Sequence, residues 1–196
     1  MKSINKFKSL WSGLGVFLAF SLLSGMTFSM LSPIVGTNAA NTLTTTATAN
    51  INSVISVTAP DASAYAFGTL TPTDAGYFAS KSGTVQVKTN DINGYKLYIA
   101  ANTSETNLVA SGATTTIAPC GSNVTSSTMA KDTWGYSIDG TNFSPIKTTN
   151  VMIGEKTAPL TQTTAYSHTV HMGLKVSSAT QSGTYTNVVK FTAIGN

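Results

Sequence analysis

The sequence predicts an all-β fold, an antiparallel β-sandwich of about eight to ten strands. Short runs rich in Val, Ile, Thr, Tyr and Phe alternate with Gly, Asn, Asp and Pro, which is the pattern of strands separated by turns. The body of the chain shows no sustained apolar period of 3.6 residues, so long helices are not expected there. The chain also has 33 threonines and 23 serines. Thr suits this fold because its branched Cβ favours strands and its hydroxyl favours a wetted face.

Two strands are predicted near the start of the body. In residues 47–57, alternation places Ile55 and Val57 on one face and Val54 on the other. Residues 65–70 form a second strand-like run, which ends before a turn rich in Pro, Asp and Gly. Both strands are expected to bury one face.

The clearest strand pattern lies near the middle of the chain. Residues 84–89 and residues 95–100 both carry apolar side chains at alternate positions. Between them stands Asn93-Gly94, the dipeptide that favours a tight hairpin turn. We therefore predict a β-hairpin over residues 84–100.

The second half of the body is predicted to add the remaining strands. Residues 101–130 are polar and are expected to be loose, with a short helical turn near residues 104–108. A second hairpin, a short strand, a long strand and a closing strand are expected at residues 134–146, 151–153, 165–176 and 184–194. An Ig-like or Greek-key arrangement accommodates this number of strands.

The first 39 residues are predicted to be an export signal. Three lysines lie within the first eight residues, an apolar stretch without charge covers residues 10–31, and small residues lead to a cleavage site after Ala39. An uncleaved membrane anchor is the alternative, since a bilayer span needs about 20 residues. In both cases the body, residues 40–196, is a single domain outside the cell.

The charge balance excludes a nucleic-acid binder. Only 9% of the residues are charged, and all 11 basic residues are lysines. Bidentate contacts to phosphate and guanine depend on Arg, which this chain lacks. Loss of residues 1–39 would remove three lysines and no acidic residue, leaving eight lysines against seven acids. The basic balance therefore belongs to the export signal.

No catalytic, metal or cofactor site is expected, and the protein is predicted not to be an enzyme. His168 and His171 are three residues apart on a strand, so they face opposite sides and cannot share a metal. Cys120 is the only cysteine, and it is expected to be a buried small hydrophobe. Trp134 and Tyr136 lie on one face of a strand, where they are expected in the core rather than as a sugar-binding platform.

Two segments resemble bacterial surface proteins. Residues 84–99, TVQVKTNDINGYKLYI, resemble an element of WxL-domain-type surface sandwiches, in which a strand ending in Thr-Asn leads through a Gly turn to an aromatic and Leu-rich strand. Residues 182–193, SGTYTNVVKFTA, are similar to the closing strand of that family and, more weakly, to that of spore-coat-U-type secreted pilins. The WxL resemblance implies noncovalent attachment to peptidoglycan. The Trp-x-Leu signature itself is absent, because Gly135 and Tyr136 follow Trp134.

These observations predict a non-catalytic, secreted or cell-surface structural or adhesive protein of a bacterium. Its expected partners are cell-wall polymer or neighbouring surface proteins, with self-association as a possibility and without nucleic acid or cofactor. Membrane contact is expected only through an uncleaved N-terminal segment. The alternative is a pilin-like subunit that polymerises by donating residues 43–57 to the sheet edge of a neighbour. Otherwise these residues form the first strand of their own domain.

Overall fold

Ten strands and one short 3-10 helix form the part of the chain that the computed structural model describes, residues 45–158 and 160–196. The predicted export signal, residues 1–39, lies outside the described residues. No helix in the described part is long and apolar enough to span a bilayer. The helix is Ala62–Tyr65, and the strands are β1 Ile55–Thr58, β2 Tyr77–Thr89, β3 Tyr95–Ala101, β4 Leu108–Ala110, β5 Thr116–Pro119, β6 Thr133–Ser137, β7 Val151–Lys156, β8 Tyr166–Val176, β9 Tyr185–Thr186 and β10 Val189–Gly195.

The strands form two sheets of unequal width. The larger sheet has seven strands in the order β1-β2-β8-β6-β5-β4-β9, and the smaller has three in the order β10-β3-β7. Each neighbouring pair is antiparallel except β5 and β6, which run parallel. The predicted all-β class and strand number are confirmed. The larger sheet is mixed, however, because residues 120–132 turn the chain back so that β6 begins beside the last two residues of β5 and runs in the same direction.

The core is formed by the alternating apolar faces of the longest strands. Val85 and Val87 of β2 are completely buried, while the intervening Gln86 is exposed. In β3, Tyr95 and Leu97 are completely buried, and β8 contributes its own buried stripe from Val170 onward. These faces confirm the strand positions predicted from alternation. Each apolar side chain that is fully removed from water contributes about 1.5–3 kcal/mol to the stability of the fold.

The predicted hairpin over residues 84–100 is wrong. Its two strands exist as β2 and β3, but β2 pairs with β1 and β8, whereas β3 pairs with β10 and β7. The turn includes Asn93 and Gly94, with Gly94 at a φ of +85°, and it carries the chain from one sheet to the other. The apolar stripes of β2 and β3 belong to the same core cluster, to which each sheet contributes one of them.

Several other segments differ from the sequence-based expectation. Of residues 47–57, only the end lies in a strand, β1, with Ile55 and Val57 half-buried, whereas residues 48–54 are exposed and have no regular structure. Residues 65–70 form no strand and follow the short helix. The polar stretch 101–130 contains β4 and β5 instead of a helical turn. The predicted closing strand is interrupted at residues 187–188, which separate β9 in the larger sheet from β10 in the smaller.

A second, smaller cluster is formed by buried Cys120, Met129 and Phe143. Its packing depends on Gly135 of β6 and Gly173 of β8, which are partners in the strand register. A Cβ on Gly173 would lie 2.5 Å from the Phe143 ring, and one on Gly135 would lie 2.4 Å from Cys120 Sγ. The paired glycines therefore provide a flat area of sheet on which these side chains pack directly against the backbone.

We expect Gly173→Ala to destabilise the fold by about 1–3 kcal/mol, the usual cost of overpacking a core site. The added methyl group would force the Phe143 ring from its position. Thermal or urea unfolding measures the change. Gly183→Ala is the matched control, because its nearest neighbouring atom would be 3.7 Å from the new Cβ. Equal stability of the two variants would contradict the proposed role of the glycine pair.

Candidate binding groove

A groove of about 1000 Å³ opens along the edge of the core. This volume is at the upper end of typical ligand pockets, about 300–1,000 Å³. Its floor is formed by inward-facing side chains of the larger sheet, among them Ile117, Met172 and Leu174. These side chains belong to the main core and are at most 5% exposed, so the groove lies directly over a part of the core that neighbouring side chains already cover.

One wall of the groove is the connection between β1 and β2. Residues from 59 to 72 line it, including Pro60 and Tyr65. Both side chains pack against the backbone of Gly83 in β2, where a Cβ would lie 2.8 Å from Pro60 and 3.0 Å from Tyr65 Cζ. The absence of a side chain at Gly83 therefore lets this wall approach the sheet.

The opposite wall is the connection from β8 to β10. Residues 180–189 line it, and Phe191 of β10 extends it. The start of the connection is held by Asp132, whose carboxylate accepts hydrogen bonds from Ser177 N at 2.8 Å, Ser177 Oγ at 2.9 Å and Thr180 Oγ1. Burial opposes ionisation, but these hydrogen bonds outweigh it and lower the pKa of Asp132. An ionised acid thus fixes the loop that forms this wall.

The groove is uncharged, and two of its lining residues carry a buried polar atom without a hydrogen-bond partner. None of the described residues that line it is charged. Tyr65 Oη and Asn187 Oδ1 are buried and have no hydrogen-bond partner among the described residues. The Asn187 amide is held by its nitrogen, which donates to Glu105 O at 3.1 Å and Asn107 O at 2.7 Å. Burial also raises the pKa of Tyr65 to about 12, so its hydroxyl stays protonated.

The groove offers a largely apolar surface and one sheet edge. The Tyr65 hydroxyl and Asn187 Oδ1 are enclosed by neighbouring protein atoms, so they are not part of its open surface. Within the described residues, β10 pairs only with β3, so its other edge has no strand partner beside Val189 and Phe191. A polypeptide in extended conformation has apolar side chains for the first feature and backbone groups for the second.

The two histidines lie on opposite faces of β8, as predicted. His168 Nε2 lies 2.7 Å from the Tyr95 hydroxyl between the two sheets, and their rings meet edge to face. His171 lies against the turn at Gly140, where a Cβ would be 3.2 Å from its ring. The structure therefore does not bring the two imidazoles together.

The cysteine and the aromatic pair lie in the core, and a nearby carboxylate is engaged in a turn. Cys120, Trp134 and Tyr136 are buried as predicted, and burial raises the pKa of the Cys120 thiol to about 11. Asp91 accepts a hydrogen bond from Asn93 N at 2.8 Å within the turn. Among the described residues, no group of three His, Cys, Asp or Glu side chains could hold a metal.

The sequence did not point to the groove. Residues 65–70 were expected to be a strand, although they form part of its wall. One available signal was the pair Pro60 and Pro72, since proline removes a backbone donor and interrupts sheet pairing. Another was the Asn187 position inside the closing strand, where an amide side chain interrupts an otherwise Thr-rich and Val-rich run.

We expect the folded state to lose stability as the pH falls from 7 to 5, partly because of His168. Burial, and next the nearby Lys156, lowers the pKa of His168 below its ordinary value of 6.5. The unfolded chain therefore takes up this proton at a higher pH than the folded chain, which favours unfolding in acid. Thermal unfolding across this range should show a weaker pH dependence in His168→Gln. His171→Gln is the control and should keep the wild-type dependence. An unchanged dependence in His168→Gln would contradict this assignment.

Comparison with known proteins places the chain in no family. It matches no model of a protein family and has no significant match among curated proteins. The resemblance of two segments to WxL-domain-type proteins therefore remains a prediction. Its first segment, residues 84–99, forms two strands that lie in separate sheets. The groove, not a family assignment, is thus the basis for a functional proposal.

Proposed function

We propose that this protein is a non-catalytic structural or adhesive component of a bacterial cell surface, exported through its N-terminal segment. In this proposal the domain is a sandwich of the Ig-like or Greek-key kind, and it binds a neighbouring surface protein in its groove. The bound element is an extended, uncharged polypeptide segment. The groove beside the free edge of β10 is the observation that carries this proposal.

Two properties of the groove support a polypeptide over an anionic cell-wall polymer. None of the described lining residues is charged, and most of the lining surface is apolar, although residues 180–187 bring hydroxyl and amide groups to one wall. An anionic polymer would lose hydration there without a compensating cation. A strand, by contrast, would bury apolar side chains and pair with the edge of β10 that has no strand partner.

The composition of the polar residues is consistent with a protein located outside the cell. Charged residues are few, so Thr, Ser and Asn side chains provide most of the polar surface. A nearly neutral body has little long-range repulsion against neighbouring copies or surface proteins. Dense packing at a surface therefore carries little electrostatic cost.

We expect Val189→Lys to release the protein from the cell envelope of producing cells. An unpaired ammonium group in the apolar groove would weaken binding by at least about tenfold, which corresponds to about 1.4 kcal/mol. Fractionation of cells and medium, with the protein detected in each fraction, measures the effect.

Ile194→Lys is the matched control for this experiment. It introduces the same side chain on the same strand, but at a position that is 50% exposed. The control should fractionate like the wild-type protein, and circular dichroism should show that both variants are folded. Retention of folded Val189→Lys at the wild-type level would refute the proposed use of the groove.

A further inference from the structure

The edge strand β7 meets the larger sheet at His168 of β8. His168 Nε2 is hydrogen-bonded to the hydroxyl of Tyr95 in β3 at 2.7 Å. Another part of the same ring lies against the backbone of Gly154 in β7, since a Cβ on Gly154 would be 2.5 Å from both Nδ1 and Cε1. One imidazole therefore contacts two of the three strands of the smaller sheet.

Strand β7 has few other attachments to the domain. Within the described residues it pairs only with β3. That ladder is interrupted next to Gly154, where Ile153 is the extra residue of a β-bulge. Ile153 is buried in the main core, whereas the last two residues of the strand are exposed. The contact with His168 is thus a large part of what holds β7 against the larger sheet.

The groups around His168 would leave a positive charge on its ring uncompensated. From β3 it faces Tyr95, and on the same face of β8 it has Tyr166, whose ring centre lies 6.3 Å from that of Tyr95. Its register partner in β2, Val85, is apolar. From β7 the nearby charged group is Lys156, whose Nζ lies 5.6 Å from the centre of the Tyr166 ring. None of these groups carries a negative charge.

The acidic residue of β7 points away from His168. Glu155 and Lys156 are consecutive in the strand, so their side chains lie on opposite faces of the sheet. Glu155 is the register partner of Lys96, and both are exposed. His168 Nδ1 makes no hydrogen bond within the described part of the chain. An imidazolium donates from both nitrogens, so a charged His168 would have one donor without a protein acceptor.

We infer that His168 is an acid-sensitive latch, which holds β7 against the larger sheet when neutral and releases it when charged. A charged ring needs water at Nδ1, and water reaches that atom freely when the Gly154 backbone moves away. Repulsion between the charged ring and Lys156 acts in the same direction. The released part is one edge strand, whereas the rest of the core stays folded. The latch does not depend on the groove.

The pKa of His168 agrees with the direction of this switch. Burial, and next Lys156, lowers it below the ordinary value of 6.5. In the released state the ring is hydrated, so it takes up a proton at a higher pH than in the latched state. Release therefore becomes more favourable as the pH falls through the ordinary pKa of histidine, and it gains nothing above that pKa.

Movement of β7 would extend to the segment that precedes β1. The connection that follows β7 donates a hydrogen bond from Leu160 N to Asp91 O at 3.2 Å. It donates a second from Gln162 Nε2 to Val54 O at 3.0 Å. Because this connection continues directly from β7, release of the strand strains both bonds. The latch thus links the pH to the end of the domain from which the N-terminal segment leaves.

Hydrogen exchange of the purified full-length protein at pH 7 and pH 5 tests the latch. After correction for the intrinsic effect of pH on exchange, the amides of β7 should exchange several-fold faster at pH 5, and those of β2 and β8 should not. His168→Gln should remove this increase. His171→Gln is the matched control and should keep it, because His171 lies on the opposite face of β8.

A second pair of variants tests the charge of Lys156 without changing the histidine. In Lys156→Gln, the pKa of His168 measured by NMR titration should rise toward its ordinary value, and the increase in β7 exchange at pH 5 should be smaller. Lys96→Gln removes a lysine from the opposite face of the smaller sheet, so both quantities should stay as in the wild type. Circular dichroism tests the folding of each variant.

The outcomes separate local release from global unfolding. Equal acceleration of exchange in β2, β7 and β8 at pH 5 would overturn the latch, as would unchanged exchange in β7. An increase in β7 that persists in folded His168→Gln would also overturn it. If His168→Gln does not fold, an unchanged pKa of His168 in Lys156→Gln has the same consequence. None of these results bears on the release of Val189→Lys from cells.

Discussion

The width difference between the two sheets determines the organisation of this domain. Seven strands present one apolar face, and three strands lie against it. The three-stranded sheet can cover only part of that face, so the long connections before β2 and after β8 extend over the remainder. These connections leave Ile117, Met172 and Leu174 almost completely buried. The open apolar surface of the groove comes instead from side chains of the walls and of β10, among them half-buried Phe67 and Val189 and exposed Val188. Because burial of apolar area is the main source of stability, this surface favours a binding partner.

The walls of the groove are held by polar interactions, although the groove itself is apolar. Asp132 binds the start of one connection through Ser177 and Thr180. Gly83 allows Pro60 and Tyr65 of the other connection to lie against β2. These contacts fix the walls independently of any occupant. A groove that exists before binding loses less conformational entropy when a partner enters, which favours affinity.

Long, strictly alternating strands could be predicted from the sequence, whereas short strands and pairing partners could not. The buried faces of β2, β3 and β8 were predicted correctly because apolar residues recur there at alternate positions, two in β2 and four each in β3 and β8. β4 and β5 are only three and four residues long, and they exist because neighbouring strands supply their hydrogen bonds. Residues 65–70 form no strand, although their alternation predicts one. Their aromatic side chains pack against the core from an irregular segment that pairs with no strand.

The sequence by itself determined the all-β class, the buried stripes, the positions of both histidines on opposite faces, and the burial of Cys120, Trp134 and Tyr136. These properties follow from local alternation and from side-chain chemistry. Only the tertiary structure decided that the chain crosses between sheets at Asn93-Gly94, that β9 and β10 separate, and that a groove forms between distant connections. Each of these depends on which apolar face covers which other face, and that choice is made by contacts between residues far apart in the chain.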